Sequence, residues 1–156
     1  ITMNANIEVK EIQMLNLAFI TQIGDKGLDN AFDKLIKWAA PKGLMNDPDV
    51  KLATIYYDSF KVTEADKVRM SACIVLKEAI EVSGEVGLTK IEGGKHIVGS
   101  FEIGVEEFPK SWSSLFIWMN EKGFNKAERN PFEIYHNDFN QHPEKKCRVD
   151  MYIPIE

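Results

Sequence analysis

Two cysteines among 156 residues, Cys73 and Cys147, are too few for a disulfide framework and read as buried free thiols in a reducing compartment. No apolar run approaches the roughly 18 residues of a membrane-spanning helix. No secretory signal pattern opens the sequence, and the expected location is the cytoplasm, with no membrane partner. A surplus of positive charge is also missing. The net charge of −5 excludes a general attraction to nucleic-acid phosphates and mainly favours solubility. The three histidines, His96, His136 and His142, lack metal-ligand spacing, so no metal site is expected. "EGGKH" (92–96) has glycines without the spacing or the helix of a phosphate-binding or dinucleotide loop. Nothing reads as a nucleophile elbow or a catalytic triad. No cofactor is expected.

What remains is an ordinary globular composition, 44% hydrophobic and 28% charged, at a length that fits one domain over 1–156. The sequence opens on Ile1 with Met3 close behind, which reads as a trimmed start or a few added residues. The chain also resembles itself at a shift of about 80 residues. "AFDKLIKWAAPKGLM" (31–45) lies over "SWSSLFIWMNEKGFN" (111–125), matching Trp38 to Trp118 and Lys42-Gly43 to Lys122-Gly123. Upstream, Ile23-Gly24 meets Ile103-Gly104; downstream, "LATIYYD" (52–58) meets "FEIYHND" (132–138). At a shift of 79, "RMSACIV" (69–75) meets "RVDMYIP" (148–154). Two repeats, about 7–80 and 86–155, are therefore expected. Units this long and this few do not form a solenoid.

Each repeat reads as β-β-α-β-β. "NLAFITQIG" and "HIVGSFEIG" alternate as strands do. Leu28, Phe32, Leu35, Ile36 and Ala39 then recur at helical spacing, as do Phe108, Trp112, Leu115, Phe116 and Met119. Gly43 and Gly123 suit helix ends, and Pro109 suits a first helical turn. Strands follow near 51–58 and 68–76, and near 131–137 and 146–153. "IEVKEI" and "GLTKIE" read as leading strands, and "EGGK" (92–95) as a hairpin turn. The fold class expected is α+β, a largely antiparallel sheet with its helices on one face. Joined halves favour a ligand cleft at their pseudo-twofold.

The strand "NPFEIYHND" (130–138) raises the sharpest question of chemistry. Alternation puts Phe132, Ile134 and His136 on one face, and Glu133, Tyr135 and Asn137 on the other. A buried carboxylate costs several kcal/mol unless paired or protonated. The residues alone leave two readings for Glu133, a cleft carboxylate or a solvated edge charge. Tyr135 and Tyr152 are expected to line one region, on the last two strands. Trp112 sits on the apolar stripe of its helix, while Trp118, six positions on, points elsewhere and reads more as packing. In the first repeat the shift of 80 sets Ala53 against Glu133, and phase with Ala53 and Ile55 selects Tyr57 over Tyr56. Phe19 and Phe101 read mostly as core, with contact to a ligand as the second reading. Asp58 and Asp138 are expected to shape the turns after their strands.

"YYD" (56–58), "LFIWMNEKGF" (115–124), "FEIYHND" (132–138) and "CRVDMYIPI" (147–155) together resemble the GyrI-like small-molecule-binding domain, the AraC-type bacterial effector-binding domain. The resemblance runs from about Ile7 to Ile155 and departs at "FNQHPEKK" (139–146), which is longer and more polar. It implies two βαββ-type halves around a central cleft that takes aromatic, amphipathic or cationic molecules. It also implies an acid in the E-x-Y strand inside that cleft, here Glu133. The expected function is effector binding, in a transcription regulator or a stand-alone sensor. DNA would then be reached only through a helix-turn-helix domain upstream of this chain. Two alternatives follow from the same resemblance. One is a hydrolase of electrophilic ring compounds with Glu133 as general base. The other is a gyrase-binding inhibitor. A binding module is preferred to an enzyme.

Overall fold

The structure, a computed structural model, describes residues 5–59, 62–138 and 142–156. The chain is α+β. In chain order it forms β1 (Ala5–Ile12), β2 (Leu15–Ile23), α1 (Leu28–Ala39), β3 (Lys51–Tyr56), β4 (Arg69–Leu76), β5 (Gly87–Ile91), β6 (Gly94–Ile103), α2 (Phe108–Glu121), β7 (Phe132–Tyr135) and β8 (Cys147–Pro154). Every strand and helix read from the periodicities is present. The two repeats are each built as β-β-α-β-β.

Residues fall into two compact units, one of 1–13 with 93–156, the other of 14–92. The units are not the linear repeats. β1 precedes β2 in the chain but pairs with β6, from Ala5↔Phe101 to Ile12↔Gly94. β5 precedes β6 but pairs with β2. Each leading strand thus belongs to the unit of the other repeat. Within the first unit the strand order is β1-β6-β8-β7, and within the second it is β3-β4-β2-β5. All neighbours in both runs are antiparallel.

One helix covers one face of each sheet. In the first unit Ile97, Phe101 and Ile103 of β6 share a face with Val149, Met151 and Ile153 of β8, and Leu115 and Met119 of α2 pack on them. In the second, Ala18 and Ile20 of β2 share a face with Ala72 and Ile74 of β4, under Ala31, Leu35 and Ala39 of α1. Alternation puts these residues on one side of each strand, and the 3.6-residue period puts the helical ones on one stripe. Full burial of a side chain such as Leu35 or Leu115 favours folding by roughly 1.5–3 kcal/mol.

The end of α2 explains one residue of interest. Gly123 takes φ 79°, a left-handed conformation that glycine adopts without penalty. The Gly123 N–H donates to Asn120 O (3.2 Å) and the Phe124 N–H to Met119 O (3.1 Å), which closes the helix as a Schellman motif. That motif brings the residue after the glycine onto the last turn. Phe124 accordingly stacks on Trp118, centroids 6.1 Å apart at 12°. Lys122 Nζ lies 5.8 Å from the centre of the same indole.

Candidate functional site

The register of β7 on β8 decides which way Glu133 points. Glu133 sits opposite Met151, and Tyr135 opposite Val149. Met151 and Val149 belong to the core under α2, so Glu133 and Tyr135 face the helix. Glu133 is 1% exposed. The solvated edge reading is therefore excluded.

Two aromatic donors hold the carboxylate. Trp112 Nε1 on α2 donates to Oε1 at 2.9 Å. The Tyr135 hydroxyl, two residues along β7, donates to Oε2. Phe108 lies beside Tyr135 (6.5 Å between centroids) and Phe116 beside Trp112 (6.1 Å). Hydrogen bonds to a charged group are worth about 1.5–3 kcal/mol each, which offsets a burial cost of several kcal/mol. Both of these donors are neutral groups. The carboxylate is also felt by Cys147 on the same face of β8. Burial first, and Glu133 second, push that thiol up to about 12. The arrangement is a carboxylate walled by rings, which in its ionised form could take an organic cation or a protonated amine.

Tyr152 does not share the region of Tyr135, which corrects the expectation. It pairs with Phe132 across β7–β8 and so takes the opposite face of the sheet. There its ring stacks on Phe132 at 4.5 Å and 9°, and His96 meets both rings edge-on. Burial pushes the Tyr152 hydroxyl up to about 12, and also lowers the His96 pKa. Phe101 is core under α2. Trp118 is held in the helix cap, where it stacks on Phe124.

In the second unit a one-residue slip corrects the rest. The Tyr57 N–H donates to Arg69 O (2.9 Å), as the His136 N–H does to Arg148 O (2.8 Å). The Arg69 N–H donates to Asp58 (2.9 Å), as the Arg148 N–H does to Asn137 (2.6 Å). Tyr57 bonds Ser71 (2.7 Å), as His136 bonds Asp150 (2.8 Å). The strands after the helices therefore correspond at a shift of 79, although the helices correspond at 80. Ala72 stands where Met151 does, and the residue opposite Ala72 is Thr54. The counterpart of Glu133 is thus Thr54, not Ala53, and that of Tyr135 is Tyr56, not Tyr57. Ile55, Tyr57 and Phe19 lie on the face away from α1, in register with Ser71 and Cys73. Phe19 covers Gly87 on β5, where an added Cβ would come within 2.6 Å of the ring.

Asp58 behaves as a turn residue. It also clamps the Arg69 guanidinium at 2.9 and 3.0 Å, and these bonds hold its carboxyl down at about 2. In the first unit Asn137, not Asp138, takes the corresponding place. Spacing singles out neither Thr54 nor the His142–Glu102 pair at 3.0 Å, reads Phe108 only as part of the helical stripe, and sets Tyr56 aside for Tyr57. A surface groove of about 400 Å³ lies beside that pair, lined by Glu102, Asn137, Asp138, His142, Pro143 and Arg148. Part of the long polar segment 139–146 lies outside the described residues. Among the described residues no three His, Cys, Asp or Glu side chains could together hold a metal ion, and no helix is long and apolar enough to cross a membrane.

Solved structures share this fold. The C-terminal domain of EcmrR matches with a TM-score of 0.77 at 16% identity, covering 99% of each chain. In the EcmrR–DNA complex the fold is part of a longer protein, and this chain covers 57% of it (TM-score 0.76, 14% identity). SAV2435 bound to tetraphenylphosphonium matches with a TM-score of 0.58 at 11% identity, covering 97% of this chain and 94% of that one. These likenesses define the fold class, an α+β domain like the C-terminal domain of EcmrR. Residues 5–156 match the GyrI-like small molecule binding domain, and the chain belongs to that family. It is also 24% identical over 155 residues to the DNA gyrase inhibitor of Salmonella typhimurium, covering 96% of this chain and 97% of that protein.

Proposed function

We propose that the chain is the effector-binding domain of a transcription regulator, or a stand-alone sensor, and that it reads aromatic, amphipathic or cationic ligands at Glu133. The observation that carries this reading is a fully buried carboxylate that accepts hydrogen bonds from Trp112 and Tyr135. A cation brought to it gains a charge-assisted contact in a site shielded from water, where electrostatic attraction is stronger. The flanking rings supply stacking surface. Trp112 and Tyr135 are half-buried, so the ligand reaches the carboxylate by displacing a ring. The binding of tetraphenylphosphonium by SAV2435, which has the same fold, supports this choice of ligand class.

The test is calorimetric titration with tetraphenylphosphonium and with neutral triphenylphosphine oxide. Glu133→Gln keeps the shape and removes the charge. Losing a charged contact of about 2 kcal/mol weakens cation binding about 30-fold. Binding of the neutral compound is expected to change little. Equal affinity of both proteins for the cation, or no cation binding by the native protein, overturns the proposal.

A further inference from the structure

The sheet of the first unit ends on β1, and among the described residues no strand pairs with its outer edge. Such an edge presents a row of unpaired N–H and C=O groups. β1 is eight residues long, with Asn6, Glu8, Val9, Lys10 and Glu11 exposed. The edge of the second unit differs. β5 has five residues and one charge, Lys90, so it offers no self-complementary pairing.

β1 carries both signs two residues apart on one face, with Lys10 Nζ 3.0 Å from Glu8 Oε1. Pairing β1 antiparallel with a second β1 about Val9 sets Glu8 opposite Lys10 of the other copy, twice by symmetry. Val9, 37% exposed, meets its own counterpart on the axis. Registers displaced by two residues set Glu8 against Glu8 or Lys10 against Lys10. Like charges directly opposite are destabilising, and opposite charges stabilising. Registers displaced by one residue put the two helix-bearing faces on opposite sides, because side chains alternate. One register is selected.

We propose that β1 is a self-association edge. Two copies of the chain pair through β1 about Val9, with reciprocal Glu8–Lys10 bridges, and extend the first unit's sheet across a twofold axis. The contact is isologous, so it closes at two copies. One strand pair buries less than the roughly 1,200 Å² of stable interfaces, so the dimer is weak.

Sedimentation over a concentration series reaching about 1 mM tests this. The native protein is expected to pass from monomer to dimer. Glu8→Lys alone sets lysine against Lys10, and Lys10→Glu alone sets glutamate against Glu8. Each is expected to weaken the dimer at least about tenfold, since two attractive pairs become repulsive. The double swap Glu8→Lys/Lys10→Glu restores opposite charges across the axis and the native dissociation constant. These side chains are exposed, so unchanged circular dichroism separates the effect from misfolding. A native protein that stays monomeric throughout, or single swaps that dimerise like the native chain, overturns the proposal.

Discussion

Replacing Trp112 by phenylalanine keeps a ring on α2 and removes the indole N–H. The second unit shows that phenylalanine suits this helix position, since Phe32 occupies the matching place on α1. The lost bond runs from Nε1 to Glu133 Oε1 at 2.9 Å, onto a carboxylate that is 1% exposed. A bond to a charged acceptor contributes about 1.5–3 kcal/mol, and a neutral one about 1 kcal/mol. Trp112→Phe is thus expected to destabilise the chain by about 2 kcal/mol, lowering the thermal midpoint by roughly 4–8 °C at this length. In a Glu133→Gln background the same substitution removes only a neutral bond, and the loss falls to about 1 kcal/mol. Urea unfolding of the four proteins closes a double-mutant cycle. The expected coupling is about 1 kcal/mol. A coupling within the roughly 0.5 kcal/mol scatter of independent sites refutes the claim that Trp112 acts on the carboxylate.

Asp58 is expected to titrate at about 2, held down by the Arg69 side chain and then by its backbone N–H. Because its folded pKa lies below the unfolded value of about 3.9, its contribution is present above that pH and is lost as pH falls through about 2. Carbon-13 NMR of the carboxyl reads this midpoint. A native midpoint in the ordinary aspartate range contradicts the clamp, and Arg69→Gln, which keeps the backbone N–H, is expected to raise the midpoint part of the way to that range. Burial pushes both Cys73 and Cys147 up to about 12. At pH 8 neither is expected to react with an aromatic disulfide reagent until the chain is unfolded, and prompt labelling of the native protein disproves the burial of the labelled thiol.

Periodicity made the elements legible, because strand alternation and the helical stripe are local properties of the residues that form them. The faces were legible only in the second repeat. "FEIYHND" could be phased on its own alternation, and Glu133 with Tyr135 followed correctly. In the first repeat the phase was borrowed through an identity, Asp58 over Asp138, and the identity misled. The hydrogen-bonding role of Asp58 belongs to Asn137, one residue earlier. One residue is fewer between helix and strand in the second copy, and a single-residue slip turns every side chain to the other face. That slip put Ala53, Ile55 and Tyr57 on the face of Glu133 in expectation, set Tyr56 aside and left Thr54 unseen. Tyr152 failed for a related reason: placing it with Tyr135 required the β7–β8 register, which no local pattern carries. The partners of β1 and β5 are likewise non-local, which is why the repeat boundaries do not delimit the compact units. Correct register also changes what the duplication means. The two helix-side positions compared are Glu133, bonded to Trp112 of α2, and Thr54, on the face covered by α1, where Phe32 holds the place of Trp112; each has a tyrosine two residues on. One copy kept a charge and an N–H donor to hold it, while the other has a hydroxyl and a plain ring. Carboxylate and indole belong together, since a buried carboxylate without the indole loses one of its donors, and this co-occurrence is the physical argument for treating them as one site.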